Sequence, residues 1–129
     1  MFAYRKSSNV GNAPEIHQVP ATADEAFVVG EALTLSSGKV TKCTGTTKPE
    51  YISAEKKTAV SGDKLSCYLV EPNQEYETVT SADGTLTVGA KYTIDSTGTK
   101  ITATATSGVA EVVEVDGATA GAKALVRFS

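Results

Sequence analysis

Few side chains in this sequence could do chemistry, and they are scattered. The single histidine, His17, lies between Pro14 and Pro20, two residues after Glu15. Its imidazole could act as a general base or a pH-sensitive contact, but no second histidine exists to complete a metal pair. A solvated place in a proline-flanked segment is the simpler reading. Any Ser–His–Asp or Cys–His relay would have to use His17, and neither Cys43 nor Cys67 sits in a recognisable nucleophile context. Carboxylates need more care, because acid–base pairs require geometry and carry no local motif. Glu71, Glu75 and Glu77 gather beside Pro72, and Glu111, Glu114 and Asp116 gather near the C-terminal end. Either group could hold a cation or a hydrolytic pair; both are more simply the solvated faces and loop tips of a β protein. The chain has no Gly-x-Ser-x-Gly elbow, no phosphate-binding Gly-x-x-x-x-Gly-Lys loop and no His-Glu-x-x-His helix. The expectation is a binding protein without catalytic residues, cofactor or metal.

Charge narrows the partners. Twelve Lys and Arg against fifteen Asp and Glu leave a net charge of -3. The basic stretch of Lys39, Lys42, Lys48, Lys56, Lys57 and Lys64 is interrupted by Glu50, Glu55 and Asp63, and only Tyr51 could stack on a base. Phosphate neutralisation needs clustered Lys and Arg, so no nucleic-acid partner is expected. Lysines guarding strand edges account for the stretch. No apolar run reaches the roughly 18 residues of a membrane span. Arg5 and Lys6 are followed by no apolar stretch that would make a secretory signal. Folding in a reducing cytoplasm is therefore expected, with Cys43 and Cys67 as buried thiols in neighbouring strands rather than a disulfide. At 129 residues, surface scaling gives about 6,500 Å² exposed when folded against about 19,000 Å² unfolded, enough for a core of its own.

The elements that must position these residues are strands. Thr and Val are abundant, and helix formers never accumulate at helical spacing over a long window. Leu33 and Leu35 alternate with Thr34 and Ser36, Ser37-Gly38 turns the chain, and Lys39–Cys43 returns as a hairpin. Tyr51–Ala54 and Thr58–Val60 are short candidates. In Lys64–Glu71, Leu65, Cys67 and Leu69 share one face and Ser66, Tyr68 and Val70 the other. Tyr76–Thr80 follows. Lys91–Asp95 and Lys100–Thr106 read as a hairpin about Ser96-Thr97-Gly98, with Ile101, Ala103 and Ala105 on one side. Val109–Val115 turns at Asp116-Gly117 into Ala122–Phe128. Short strands with turns every 8–12 residues or so indicate an antiparallel sandwich or small barrel. Ala21–Val29 is open between coil and one helical turn.

An echo runs through the chain. Val29-Gly30-Glu31-Ala32-Leu33-Thr34-Leu35 with Gly38 after it resembles Val88-Gly89-Ala90-Lys91-Tyr92-Thr93-Ile94 with Gly98 after it. Two hairpins can converge on such residues, since Gly serves turns and Thr serves strands; a true repeat would instead make pseudo-symmetric halves of one domain.

Residues 1–23 read as an extended N-terminal arm and 24–129 as the β-domain. Ser7 through Pro14 is loop chemistry, and Pro14 and Pro20 exclude a continuous helix or central strand. Phe2, Tyr4, Val10 and Ile16 are apolar anchors spaced along this polar leader. Such a segment is either frayed or laid against a surface, its own or a partner's. Laid on a partner, it buries its anchors at the cost of ordering entropy, which nominates Phe2, Tyr4, Arg5, Lys6, Ile16 and His17 as partner-binding residues.

The stretch from Ala23-Asp24-Glu25-Ala26-Phe27-Val28-Val29-Gly30 through Leu33-Thr34-Leu35-Ser36-Ser37-Gly38-Lys39-Val40 resembles the start of tailed-phage capsid decoration (head auxiliary) proteins. Pro49-Glu50-Tyr51-Ile52-Ser53 fits their strand after a Gly-Thr loop. The resemblance covers about residues 13–70, and its motifs are structural turns. It implies a small β-barrel, β-tulip or OB-like fold. It also implies a virion protein, made in the host cytoplasm, that binds the expanded major capsid protein shell from outside and stabilises it. Homo-oligomers, trimers among them, are common in such families. The rival reading is an adhesive or carbohydrate-binding module, a head-fibre or tail-associated domain, stacking Tyr51, Tyr68, Tyr76 or Tyr92 on sugars. A carboxylate hydrolase using Glu75 and Glu77 is the third.

Overall fold

Twelve strands make up the regular structure of the computed structural model, which describes residues 1–7 and 14–128. Val10, with the rest of residues 8–13, lies outside the described residues. The strands are β1 Ala3–Ser7, β2 Ile16–Pro20, β3 Ala26–Phe27, β4 Ala32–Ser36, β5 Lys39–Lys42, β6 Tyr51–Ser53, β7 Lys57–Thr58, β8 Lys64–Leu69, β9 Gln74–Val79, β10 Lys91–Tyr92, β11 Ala110–Val115 and β12 Lys123–Phe128. No helix occurs among the described residues. Ala21–Val29 resolves into a turn at Ala23-Asp24 followed by β3, not a helical turn. The fold is all-β. One five-stranded sheet runs β2-β8-β6-β4-β5, a second runs β1-β9-β12-β11-β10, and β3 pairs with β7. All the strand pairings are antiparallel. The sheets pack as a sandwich, with 6388 Å² of surface exposed.

The echo in the sequence is a repeat in space. Shifting the first sheet by 59 residues (Lys64 to Lys123, Leu69 to Phe128) lays β2, β8, β6 and β4 on β9, β12, β11 and β10 in the same order. The registers coincide as well. Tyr51↔Leu69 and Ser53↔Cys67 recur as Ala110↔Phe128 and Val112↔Val126. Leu33↔Tyr51 recurs as Tyr92↔Ala110, and Val19↔Leu65 recurs as Thr78↔Ala124. Each sheet curls at the same point: Ala21 bridges Val40 in parallel, and Thr80 bridges Ile101.

Matching turns launch the matching strands. In Val28–Glu31 and Thr87–Ala90 the fourth residue's N–H donates to the first carbonyl at 3.3 and 3.1 Å. Gly30 and Gly89 stand third with φ of 79° and 90°. A positive φ at that place is the type II turn, and glycine takes it without a Cβ penalty. The turns at Val60–Asp63 and Thr119–Ala122 form a second such pair.

Each half carries an interior. Val19, Phe27, Leu33, Val40, Leu65 and Cys67 fill the first; their counterparts Thr78, Leu86, Tyr92, Ile101, Ala124 and Val126 are all buried in the second. The reverse face of the first sheet presents Ala32 and Ile52, with Tyr68 and Val70 against them, to the larger core around Phe2, Tyr76, Val112, Val126 and Phe128. β8 is thus covered on both faces, as its alternation implies, whereas β12 buries Ala124, Val126 and Phe128 and turns Lys123, Leu125 and Arg127 outward. Cys43 and Cys67 are free and buried. They are not in neighbouring strands: β4 and β6 separate β5 from β8, and the thiols lie in different cores. Burial pushes both up to about 12, so neither is a nucleophile at neutral pH.

The second hairpin is less regular than expected. Ile94 and Ile101 bridge each other, but Lys100–Thr106 is not a strand and Ala103 and Ala105 are exposed. Its turn is used for docking between halves instead, since the Ala32 N–H donates to the Gly98 carbonyl at 2.7 Å.

Candidate partner-binding edge

The described residues of the 1–23 leader are not separate from the 24–129 domain: they supply a strand to each sheet. β1 pairs with β9 on the outside of the second sheet, and β2 pairs with β8 on the outside of the first. Phe2 is 2% exposed. Its ring meets Phe128 edge-on at 5.2 Å, and its N–H donates to the Gly30 carbonyl at 2.8 Å. Burying a phenyl group in a core is worth more than leaving it free to find a partner, so Phe2 leaves the list of contact residues. Tyr4, half-buried, stands edge-on to Tyr76 at 6.0 Å.

Arg5 and Lys6 meet the acidic group singled out in the sequence. Arg5 Nε lies 3.8 Å from Glu77 Oε2, and Lys6 Nζ lies 3.9 Å from Glu75 Oε1. Both pairs sit across the β1–β9 ladder, where opposite charges on facing strands attract. Arg127 and Glu111 make a third pair at 3.5 Å. The same contacts occupy Glu75 and Glu77 with cations of their own chain. Among the described residues no three His, Cys, Asp or Glu gather as metal ligands do.

Ile16 and His17 lie on the open edge. Ile16 is 61% exposed. His17 is half-buried, with Nε2 3.3 Å from Glu15 Oε2 and its ring edge-on to Tyr51 at 6.2 Å. Between this edge and β1 runs a groove of about 500 Å³, lined by Met1, Tyr4, Pro14, Ile16, Val29 and Tyr68 among others. Met1 and Val29 are exposed there at 54% and 44%. Of the six residues nominated from sequence, the groove collects Phe2, Tyr4 and Ile16, whereas Arg5, Lys6 and His17 point elsewhere. Met1, Val29 and Tyr68 went unnoticed. Val29 carried a signal: it precedes Gly30 in the echoed turn, a place where side chains stand out into solvent.

Sugar stacking loses its platform. Tyr76 and Tyr92 are buried at 0% and 5%, and Tyr51 and Tyr68 are half-buried in the first sheet. The Tyr92 hydroxyl accepts from the Thr87 N–H at 2.8 Å, and the Tyr76 hydroxyl donates to Gln74 Oε1 at 2.7 Å.

No family model matches the chain, and no curated protein matches it. Among solved structures it is similar to the head fiber gp8.5 N base of bacteriophage phi29, with a TM-score of 0.60 over 89% of this chain and 95% of that one at 17% identity. At that identity the likeness establishes a shared fold: this chain is built like the base of a phage head fibre.

Proposed function

We propose that the chain is a non-catalytic structural protein of a tailed-phage head, one that binds the outer surface of the expanded major capsid shell and stabilises it. The observation that carries this reading is the fold shared along nearly the whole chain with a phage head-fibre base. The decoration-protein resemblance of Ala23–Val40 points the same way. Those residues form the turn, β3, β4 and the β4–β5 hairpin, so the resemblance rests on scaffold. Incubating the purified chain with expanded heads and with unexpanded procapsids tests the reading. Saturable, stoichiometric binding to expanded heads, with greater resistance of those heads to heat, is expected. No binding to expanded heads contradicts it.

A second reading, a fibre base that carries an adhesive module outward from the head, draws on the same neighbour. It differs in expecting few copies per virion rather than hundreds. Quantitative mass spectrometry of purified particles separates the two.

A further inference from the structure

The two halves differ at one outer edge. In the second sheet β9 has a neighbour on each side, β12 and β1; in the first sheet its counterpart β2 has β8 on one side and, among the described residues, no strand on the other. β1 lies opposite Gln74–Glu77, and the 59-residue shift maps that stretch onto Glu15–Gln18. Among the described residues the repeat therefore leaves one strand position vacant, with its register defined.

From this geometry we infer that the vacancy is filled in the particle by an extended segment of the capsid shell protein, added antiparallel to β2 opposite Glu15–Gln18. This rests on the capsid-binding reading above and names the surface that performs it. The backbone is suited to it. The Leu69 N–H donates to the Glu15 carbonyl and the Ala21 N–H to the Asp63 carbonyl, so residues 15, 17, 19 and 21 direct their hydrogen bonds inward. Ile16 and Gln18 direct theirs outward. An edge of this kind accepts a strand through main-chain hydrogen bonds, with alternate side chains giving specificity. Pro14 and Pro20 bracket the window, which limits pairing to a short segment and guards against indiscriminate edge-to-edge association.

Side chains define the occupant. β1 is basic because β9 offers Glu75 and Glu77; at the corresponding places β2 offers Ile16 and Gln18. The incoming strand should be uncharged there, with an apolar residue on Ile16. Next to it, the groove of Met1, Tyr4, Val29 and Tyr68 accepts a further apolar side chain. Met1, Ile16 and Val29 are exposed apolar side chains gathered at this groove, and exposed apolar surface that clusters marks an interaction site.

Two variants of the full chain test this in a sedimentation assay with expanded heads, each first checked for an unchanged melting curve. Gln18→Pro removes an outward N–H that the chain's own sheet does not use, and Ile16→Lys replaces an exposed apolar side chain with a charge. Each is expected to weaken binding by about tenfold or more. Should Gln18→Pro disturb the fold, Ile16→Lys alone decides. Wild-type binding with undiminished binding of the variants overturns the edge proposal and leaves the capsid reading standing; failure of wild type to bind overturns both. Light scattering covers the remaining occupant: if the wild-type chain self-associates and Ile16→Lys dissolves the oligomer without affecting capsid binding, a second copy fills the edge and the proposal is wrong.

Discussion

The first half of the molecule, built on β2, β8, β6 and β4, and the second, built on β9, β12, β11 and β10, share strand order, register and turn geometry, yet they meet solvent differently. In the second sheet β1 covers β9 and becomes the edge strand itself, and the Arg5–Glu77, Lys6–Glu75 and Arg127–Glu111 pairs join facing strands. The first is buried deeper, with apolar residues on both faces of β8, and among the described residues no strand covers its edge at β2, beside an apolar groove. Duplicating a β unit duplicates its edges. What distinguishes the copies, among the described residues, is that β9 is covered by a further strand of its own chain and β2 is not.

The largest effect should come from removing what closes the second half. Deleting residues 1–18 strips β1, most of β2 and Phe2, and the account expects no cooperative unfolding transition by circular dichroism. A folded remainder would restore the free arm. The milder Phe2→Ala should cost about 3–5 kcal/mol in urea titration, because the ring is buried against Phe128.

Next come the paired glycines. Gly30→Ala and Gly89→Ala should both lose roughly 1–2 kcal/mol to left-handed backbone strain. A Cβ at Gly89 meets open space, whereas at Gly30 it collides with the Met1 side chain and lies 3.1 Å from the Phe2 nitrogen. Gly30→Ala should therefore be the worse of the two, and equal losses would mean that the Met1–Phe2 contact is not held in solution.

A comparable effect depends on pH. Glu31 is buried, and its counterpart in the second half is Ala90. Desolvation raises the Glu31 carboxyl from 4.5 to about 6, although its Oε1 accepts from the Val28 N–H at 3.4 Å. The folded state thus holds a proton that the unfolded chain releases. The resulting stability is complete below pH 4.5 and is lost as pH rises through 6, leaving the protein about 2 kcal/mol weaker at neutral pH than with Glu31 protonated. Glu31→Gln keeps the acceptor and should gain on the wild type across that window and hold its advantage above it. Parallel urea midpoints from pH 4.5 to 8 would refute the assignment.

The smallest effect on stability should be that of Ile16→Lys, within about 0.5 kcal/mol, since the side chain is exposed. A melting temperature that falls markedly would show Ile16 to be a core residue rather than a contact.

Much of this was legible in the residues. The alternation in β8, the Ser37-Gly38 hairpin and the Asp116-Gly117 return were all readable because period-two burial and turn chemistry are local. The Val-Gly echo points to the repeat, but two hairpins can converge on such residues; the coincidence of strand order and register 59 residues apart is what makes it a repeat in space. The pairing of the leader with its own domain is not legible in the sequence for a physical reason. Its prolines forbid a central strand and its polar residues suggest coil, yet edge strands tolerate both, and β1 and β2 are edge strands. Of the groove's lining, the apolar spacing of the leader points to Tyr4 and Ile16, while Met1, Val29 and Tyr68 converge on it only through tertiary packing.

Hydrogen–deuterium exchange of the full chain, free and bound to expanded heads, tests the open edge most directly. The account predicts that the Ile16 and Gln18 amides exchange quickly in the free chain and become protected in the particle, while the β9 amides of the closed counterpart stay slow in both. Fast exchange at Ile16 and Gln18 in the bound state, with protection arising elsewhere on the surface, would contradict it.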